Sequence, residues 1–162
     1  MKPLDGIKVL DFTTLLPGPL ATLMLSDAGA EVIKIEKLGG EEMRKAEPKI
    51  SNESVLFAML NRGKKSIEVD LKNPNYLKKI KNLIKKCDVL IEQFRPGVME
   101  RLGLGWKQVS KINKKIVYCS ITGYGQSGLK KNKAGHDLNY LAESGLLKLS
   151  HTKQNSPVLP IT

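Results

Sequence analysis

Short apolar runs alternate along this chain with longer segments of helical periodicity. Five of the short runs are rich in Val and Ile and are bounded by Gly, Pro, Asn or charged residues, a pattern typical of β-strands. The predicted strands are residues 7–12, 31–36, 66–70, 88–92 and 116–121. Strands that are separated by helical crossovers predict a mainly parallel sheet with helices on its faces.

Two segments between these strands have the spacing of an amphipathic helix. In residues 17–29 apolar residues recur at helical spacing, and Gly29 is a typical C-terminal stop. A second helix is predicted to begin at Asn73 and Pro74, because Asn is favoured at the N-cap and Pro in the first turn. Together the elements predict a Rossmann-like, doubly wound α/β fold, whose ligands bind beyond the carboxyl ends of the strands.

The length and hydrophobicity of the chain are those of one globular domain. It has 162 residues, of which 41% are hydrophobic, and such a domain buries about two-thirds of its unfolded surface. No apolar run approaches the roughly 20 residues that span a bilayer, and the N-terminus has no signal-peptide pattern. We therefore predict a cytoplasmic protein without membrane association. The polar residues after Leu149 predict an interrupted domain.

The formal charge is +11, from 27 basic and 16 acidic residues. This excess favours polyanionic partners such as nucleic acid, an anionic membrane surface or a phosphorylated ligand. Most of it is Lys spread along predicted helices, which also fits a solvated surface. Aromatic residues make up only 5% of the chain, which disfavours a platform for stacking single-stranded bases. We expect no nucleic acid partner.

Cys87 and Cys119 lie far apart in the sequence and have no Cys or His companions at metal-ligand spacing. The pattern indicates neither a metal site nor a disulfide framework. Because free Cys is among the most frequently buried residue types, both thiols are expected to be buried.

A glycine-rich stretch follows the last predicted strand. Residues 123–128 match G-x-G-x-x-G, which is half of the dinucleotide-binding fingerprint. The other half is missing, because a lysine-rich stretch follows where a helix should begin and no acid lies at the expected distance. The remaining interpretations are a loop that lets the backbone approach a ligand and a plain surface loop.

Charged residues after two strands are candidates for phosphate or ribose binding. Glu36 ends the second predicted strand and Lys37 follows it, so the pair could offer an acid to a ribose or a cation to a phosphate. A solvated strand end is the alternative. Arg95 and Arg101 could each bind a phosphate with both arms of the guanidinium, or could simply lie on the surface.

His136 and Asp137 are expected at the start of a helix. A carboxylate is stabilised there by free backbone amides and the helix dipole, which is a sufficient structural reason for Asp137. A histidine side chain at a loop-to-helix junction can act as a general base, which makes His136 a candidate, although one isolated His more often has a structural role.

Five blocks in chain order carry a resemblance to a known family. They read PLDGIKVLDFTTLLPGPLATLMLSDAGAEVIKIEK, LNRGKKSIEVDLKNP, DVLIEQFRPGVMERLGLG, IVYCSITGYGQSG and AGHDLNYLAESG. They resemble the successive blocks of family III CoA-transferases and α-methylacyl-CoA racemases. The resemblance implies that residues 1–162 are the N-terminal part of a CoA-binding large domain, with the smaller second domain absent. It also implies an interlocked homodimer and an acyl-CoA substrate, with coenzyme A as part of that substrate and no covalently bound cofactor.

The residues that the resemblance implies for CoA binding come from separate blocks. Lys37 stands where the family typically has an Arg that contacts the CoA nucleotide. The other implied positions are Val69, Asp70, Leu71 and Lys72 around the adenine, Gln93, Phe94 and Arg95 in a second lining segment, Arg101 at a phosphate, and Gly135 and Tyr140 beside the thioester.

The block at residues 135–140 is similar to the racemase branch, in which its His is one of two bases that flank the α-carbon. We therefore expect an α-methylacyl-CoA racemase, with His136 and Asp137 as the catalytic candidates in this chain. Exchange of the α-proton needs a base, a conjugate acid and stabilisation of the enolate. The second catalytic group of the family, an Asp, is expected just beyond residues 156–162, so the chain alone is expected to be inactive. A family III CoA-transferase and a non-catalytic CoA or polyanion-binding module remain the alternatives.

Overall fold

A computed structural model describes residues 1–150 and 156–158 of the chain. The chain forms two compact units. Met1–Ile121 is called the sheet unit and Thr122–Thr162 the C-terminal unit.

The sheet unit is built on a five-stranded parallel sheet. The strands in chain order are β1 (Lys8–Phe12), β2 (Glu31–Glu36), β3 (Lys49–Ile50), β4 (Glu53–Ser54), β5 (Lys65–Glu68), β6 (Val89–Glu92) and β7 (Val117–Ser120). The sheet has the order β5-β2-β1-β6-β7, and β3 and β4 form a small antiparallel pair. All neighbours in the sheet are parallel. After β1 the chain adds β2 and β5 on one side of it and then β6 and β7 on the other side. This order confirms the predicted doubly wound α/β fold.

Most of the helices lie in the sheet unit. They are α1 (Pro17–Asp27), a 3₁₀ turn (Glu42–Lys45), α2 (Val55–Asn61), α3 (Pro74–Ile84), α4 (Val98–Arg101) and α5 (Trp106–Ile112), and the C-terminal unit contains α6 (Asp137–Glu143) and α7 (Leu146–Leu149). Both predicted helices are confirmed. Gly29 follows α1 with φ +108°, a conformation that favours Gly, and the Asn73 side chain accepts a hydrogen bond of 2.9 Å from the Asn75 amide at the start of α3.

Apolar residues pack on both faces of the sheet, as expected when helices cover both sides of parallel strands. One core cluster includes Leu10, Leu90, Ile80 and Val109, and therefore joins the sheet to α3 and α5. The other includes Val9, Val32 and Ile91. Because successive side chains of a strand point to opposite faces, neighbouring residues of β1 belong to different clusters.

The structure corrects several sequence-based expectations. The third predicted strand ends earlier than expected, at Glu68, so Val69 and Asp70 follow β5 instead of ending it. The hairpin of β3 and β4 and the short helices α2, α4 and α5 were not predicted, because elements of two to seven residues carry little periodicity. Cys87 is buried as expected, but Cys119 is exposed. It lies on the edge strand β7 and shares its face with the exposed Val117.

Within residues 1–150 and 156–158, no helix is both long enough and apolar enough to cross a membrane. No group of three or more His, Cys, Asp and Glu side chains in the same part is arranged to hold a metal ion.

Candidate functional site

A cavity of about 720 Å³ lies at the carboxyl ends of β1, β2, β5 and β6. This is where ligands bind in doubly wound sheets, and the volume is within the roughly 300–1,000 Å³ of small-molecule sites. The cavity is lined by Phe12, Thr14, Leu15, Ile35, Glu36, Lys37, Leu38, Glu41, Glu42, Val69, Asp70, Leu71, Lys72, Phe94, Val98 and Leu102. Its walls are mostly apolar, with charged residues between them.

The sheet brings together residues that the sequence placed in separate blocks. The predicted site residues that line this cavity are Lys37, Val69, Asp70, Leu71, Lys72 and Phe94. They come from the segments that follow β2, β5 and β6, which meet because parallel strands end at the same edge. Their contact with CoA stays a prediction.

Three other predicted residues are not part of the cavity lining. The side-chain oxygen of Gln93 instead accepts a hydrogen bond of 3.1 Å from the Gly18 amide. Arg95 and Arg101 are exposed near α4, and neither forms an ion pair with another described residue. Both guanidinium groups are therefore available to an anion.

Lys37 is the cation that the family resemblance predicts at the CoA nucleotide. Its ammonium group is paired with Glu42, and both side chains are well exposed to solvent. Exposed ion pairs contribute about 0–1 kcal/mol, so an entering phosphate could displace Glu42 at little cost. Lys72 is also exposed, and its backbone amide donates a hydrogen bond of 2.9 Å to the Asp70 carboxylate.

Glu36 is buried, so the alternative of a solvated strand end is wrong for this residue. Its carboxylate accepts hydrogen bonds of 2.7 Å from Nε and Nη2 of Arg44, one of 2.9 Å from the Glu41 amide and one from the Ser66 hydroxyl. Burial raises the pKa of Glu36, but these hydrogen bonds, led by the one from Arg44, outweigh burial and lower the pKa to about 2. Arg44 also lies 3.9 Å from the centre of the Phe57 ring. This carboxylate is ionised at neutral pH and already occupied by partners.

Lys34 is fully buried in the middle of β2, and sequence analysis did not select it. Its Nζ donates a hydrogen bond of 2.8 Å to the Thr13 carbonyl and lies 2.8 Å from Oε2 of Glu41. The contact with Glu41 is an ion pair without hydrogen-bond geometry, and neither Glu41 oxygen accepts a hydrogen bond from a described residue. A signal was present in the sequence, because a Lys inside the apolar run EVIKIE must either be exposed or find a buried partner.

Lys64 is a second buried cation close to the same strands. Its Nζ donates to the carbonyl of Pro19 and to side-chain oxygens of Thr22 and Asn61 at 2.8–2.9 Å, and it lies 3.4 Å from Asp11. Burial lowers the pKa of Lys64 to about 8, although the Asp11 carboxylate raises it. A second cavity of about 400 Å³ is lined by residues that include Lys34, Arg44 and Lys64, whose charges already have protein partners.

The C-terminal unit holds the residues that were predicted beside the thioester. The Tyr140 hydroxyl donates a hydrogen bond of 3.0 Å to the Gly135 carbonyl, and its ring lies 5.3 Å from that of Tyr124. His136 is exposed directly before α6, where its amide donates to the Asn139 side chain at 2.9 Å. Asp137 begins α6, as its helix-terminal interpretation predicts. A catalytic role for His136 and Asp137 stays a prediction.

The glycine-rich loop is not a dinucleotide fingerprint, because the next helix begins only at Asp137. The lysine-rich stretch after the loop forms ion pairs with α6 instead. Glu143 accepts hydrogen bonds from Lys130 at 2.5 Å and from Lys133 at 2.6 Å, and the Tyr124 hydroxyl donates to it at 3.3 Å. The hydrogen bonds from Lys130 and Lys133 lower the pKa of Glu143 to about 2.

Comparison with known proteins gives one consistent result. The sequence model of CoA-transferase family III matches residues 4–162. The succinyl-CoA:glutarate CoA-transferase of Mus musculus is 44% identical over 162 residues, which cover 99% of this chain and 37% of that protein. The acetyl-CoA:oxalate CoA-transferase of Acetobacter aceti is 40% identical over 146 residues, or 90% of this chain and 38% of that protein.

A solved structure agrees with these sequence matches. The crystal structure of Rv3272 from Mycobacterium tuberculosis has a TM-score of 0.92 and 41% identity, and the match covers 99% of this chain and 45% of that one. The chain therefore spans less than half the length of these proteins.

Proposed function

The chain belongs to CoA-transferase family III, and we propose that it forms the CoA-binding part of an enzyme that moves CoA between carboxylic acids. The observation that carries this proposal is the cavity at the carboxyl ends of the strands, where residues from three separate sequence blocks meet. The two curated relatives described above are named as CoA-transferases that act with glutarate and oxalate. Both acids are dicarboxylates, so small dicarboxylates are the first acceptors to try.

The arrangement of the cavity suits the nucleotide half of CoA. Val69, Leu71 and Phe94 provide apolar surface for the adenine ring. Lys37 and Lys72 lie on the same lining and supply positive charge for phosphates. A Lys contacts a phosphate as a point charge, without the two-pronged geometry of an Arg. We therefore expect affinity for CoA that depends on charge but withstands moderate salt.

The transfer step needs a carboxylate nucleophile. It attacks the thioester carbonyl, an acyl anhydride forms, and CoA leaves as the thiolate. The resemblance implies an Asp in this role, expected just beyond residues 156–162. Because the chain spans less than half the length of the relatives described above, the proposal for this chain concerns CoA binding, and the transfer reaction is proposed for the whole protein.

The racemase hypothesis is less well supported than the transferase alternative. It depends on His136, which is exposed at the start of a seven-residue helix. The curated relatives described above are transferases. Racemase activity stays a prediction, and α-proton exchange of a 2-methylacyl-CoA in deuterated buffer would test it in the whole protein.

Calorimetric titration of the purified chain with CoA tests the proposal. We expect saturable binding, and we expect Lys37→Ala and Lys72→Ala each to weaken it about 10-fold, because a hydrogen bond to a charged group contributes about 1.5–3 kcal/mol. The matched control is Lys65→Ala, since Lys65 is an exposed lysine at the start of β5, away from the cavity. The proposal would be contradicted if CoA did not bind, or if Lys65→Ala weakened CoA binding as much as Lys37→Ala and Lys72→Ala do.

The same titration separates CoA binding from general polyanion binding. Charge-driven nucleic acid binding falls steeply as salt increases. We expect CoA to remain bound at a salt concentration that releases a DNA duplex. If the duplex binds more tightly than CoA and both are released together, the chain is a polyanion-binding module.

A further inference from the structure

Two loops that line the cavity are joined by one buried side chain. The β1 loop, residues 13–15, contributes Thr14 and Leu15 to the lining, and the β2 loop, residues 37–42, contributes Lys37, Glu41 and Glu42 among others. Lys34 contacts both loops, through the Thr13 carbonyl at 2.8 Å and the Glu41 carboxylate at 2.8 Å.

We propose that the buried Lys34–Glu41 ion pair is a positioning device that holds the β1 loop and the β2 loop at the separation that CoA requires. The proposal rests on the proposed function of the cavity. Lys34 itself does not line the cavity, whereas Glu41 does. Lys34 would therefore act through the two loops, and the exchange rate of the β1-loop amides separates this role from a direct contact of Glu41 with CoA. It is therefore a positioning residue and not a catalytic one.

Stability alone is a weak reason for this pair. The side chains of Lys34 and Glu41 are 1% and 3% exposed, so both charges have lost nearly all of their hydration. The cost of removing such charges from water can exceed their attraction, and replacing a buried pair with apolar residues is often neutral or stabilising. Glu41 has no hydrogen bond from a described residue to offset that cost. Positioning of the two loops is a reason for the buried pair that does not depend on stability.

The β1 loop contains backbone strain that needs an anchor. Leu15 has φ +62°, a left-handed conformation that is unfavourable for a residue with a side chain. Strain of this kind persists only where the surrounding structure over-determines it. Thr13 lies two residues before it and is held from two sides. Its amide and hydroxyl donate to the Asp11 carboxylate at 2.9 and 2.5 Å, and its carbonyl accepts from Lys34.

The β2 loop is held in the same way. The Glu41 amide donates to the Glu36 carboxylate at 2.9 Å, while the Glu41 side chain is paired with Lys34. The β1 loop is thus anchored on Asp11, and the β2 loop is anchored on Glu36 and, through the Gly39 amide at 2.9 Å, on Glu68. Lys34 is a contact that the two loops share, because its ammonium group touches Thr13 in one loop and Glu41 in the other.

The test is the double variant Lys34→Met/Glu41→Leu, which removes both charges and keeps apolar volume. We expect it to fold with a Tm close to that of the wild type but to bind CoA at least 10-fold more weakly. Hydrogen exchange should accelerate in residues 13–15 and 37–42 and remain unchanged in the strands. The matched control is Lys65→Met/Glu31→Leu, which removes an exposed pair that involves the same strand but neither loop.

The outcomes separate the two proposals. If the wild type does not bind CoA, the proposed function fails, and the hydrogen-exchange comparison still decides whether the pair positions the loops. If the double variant binds CoA as the wild type does, or if its loop amides exchange at the wild-type rate, the positioning role is wrong. Failure of the double variant to fold would also overturn it, because the pair would then be an element of stability.

Discussion

Arg44 holds Glu36 with two parallel hydrogen bonds of 2.7 Å at the edge of the cavity. The carboxylate belongs to the end of β2 and the guanidinium to the 3₁₀ turn (Glu42–Lys45), so the pair fastens the segment between them to the sheet. Glu36 is 3% exposed, and such a charge-assisted pair is stronger than one in solvent. The segment between Glu36 and Arg44, which carries Lys37, is therefore held in place at both ends.

This pair predicts a specific acid sensitivity. Burial raises the pKa of Glu36, but hydrogen bonds from Arg44 and Ser66 outweigh it and hold the pKa at about 2, below the ordinary value of 4.5. The carboxylate therefore stabilises the fold above pH 4.5, and this contribution is lost as the pH falls toward 2. The expected loss is on the order of 3 kcal/mol. Urea unfolding of the wild type and Glu36→Gln across this range measures it.

The Glu36→Gln variant should lose less stability than the wild type between pH 5 and pH 2.5. Glu42→Gln provides the control, because Glu42 belongs to an exposed pair with Lys37. This variant should lose nearly as much stability as the wild type between pH 5 and pH 2.5. Parallel pH profiles for the wild type and Glu36→Gln would contradict the prediction.

Close packing beside the cavity predicts that Gly18→Ala is harmful. Gly18 is a buried residue in the first turn of α1, and a Cβ at this position would lie 2.2 Å from the Thr13 Cβ and 2.5 Å from the Gln93 side-chain oxygen. Overpacking of this kind costs about 1–3 kcal/mol, although Ala is otherwise the better helix former. A lower Tm and weaker CoA binding are expected.

Gly105→Ala is the matched control for this substitution. Gly105 is likewise buried and lies directly before α5, but its added Cβ would meet the flexible side chains of Glu100 and Gln108 at 2.8–3.1 Å. These side chains can move at little cost. Equal losses of Tm in the two variants would show that contact with Thr13 and Gln93 is not the cause.

The two cysteines are predicted to differ in reactivity. Burial raises the pKa of the Cys87 thiol to about 11, and the nearby Asp88 adds to the effect. Cys119 is exposed. The thiolate is the reactive form of a thiol, and the reagent must reach it. A disulfide reagent at pH 8 should therefore modify Cys119 quickly and Cys87 only after unfolding.

Absorbance of the released thiolate measures both phases. Cys119→Ser should abolish the fast phase, and Cys87→Ser should leave it intact. A fast phase that survives Cys119→Ser would mean that Cys87 is accessible in the folded protein.

Much of the fold could be predicted because its signals are local. Val and Ile runs marked all five strands of the parallel sheet, and Asn73 and Gly29 marked a helix start and a helix end. The order of elements then restricted the topology, since parallel strands need crossovers. The short hairpin and the helices α2, α4 and α5 were missed, because their few residues are held by tertiary packing and not by periodicity.

The site was predictable in part and for a different reason. Lys37, residues 69–72 and Phe94 were found through resemblance to a family, and the structure places them on one cavity. Nothing in the sequence spacing alone relates these segments, which lie up to 57 positions apart from Lys37 to Phe94. Lys34 was overlooked because one charged residue in an apolar strand does not reveal its partner.

The sequence by itself determined the strands, the two long helices and membership of the family, because periodicity, capping residues and motif order are properties of neighbouring positions. The tertiary structure alone decided that Glu36 is buried against Arg44, that Cys119 is exposed and that Lys34 joins two loops. Burial and the partners of a charge depend on which distant segments meet at the edge of the sheet. That meeting is set by packing of the whole core and not by any single segment.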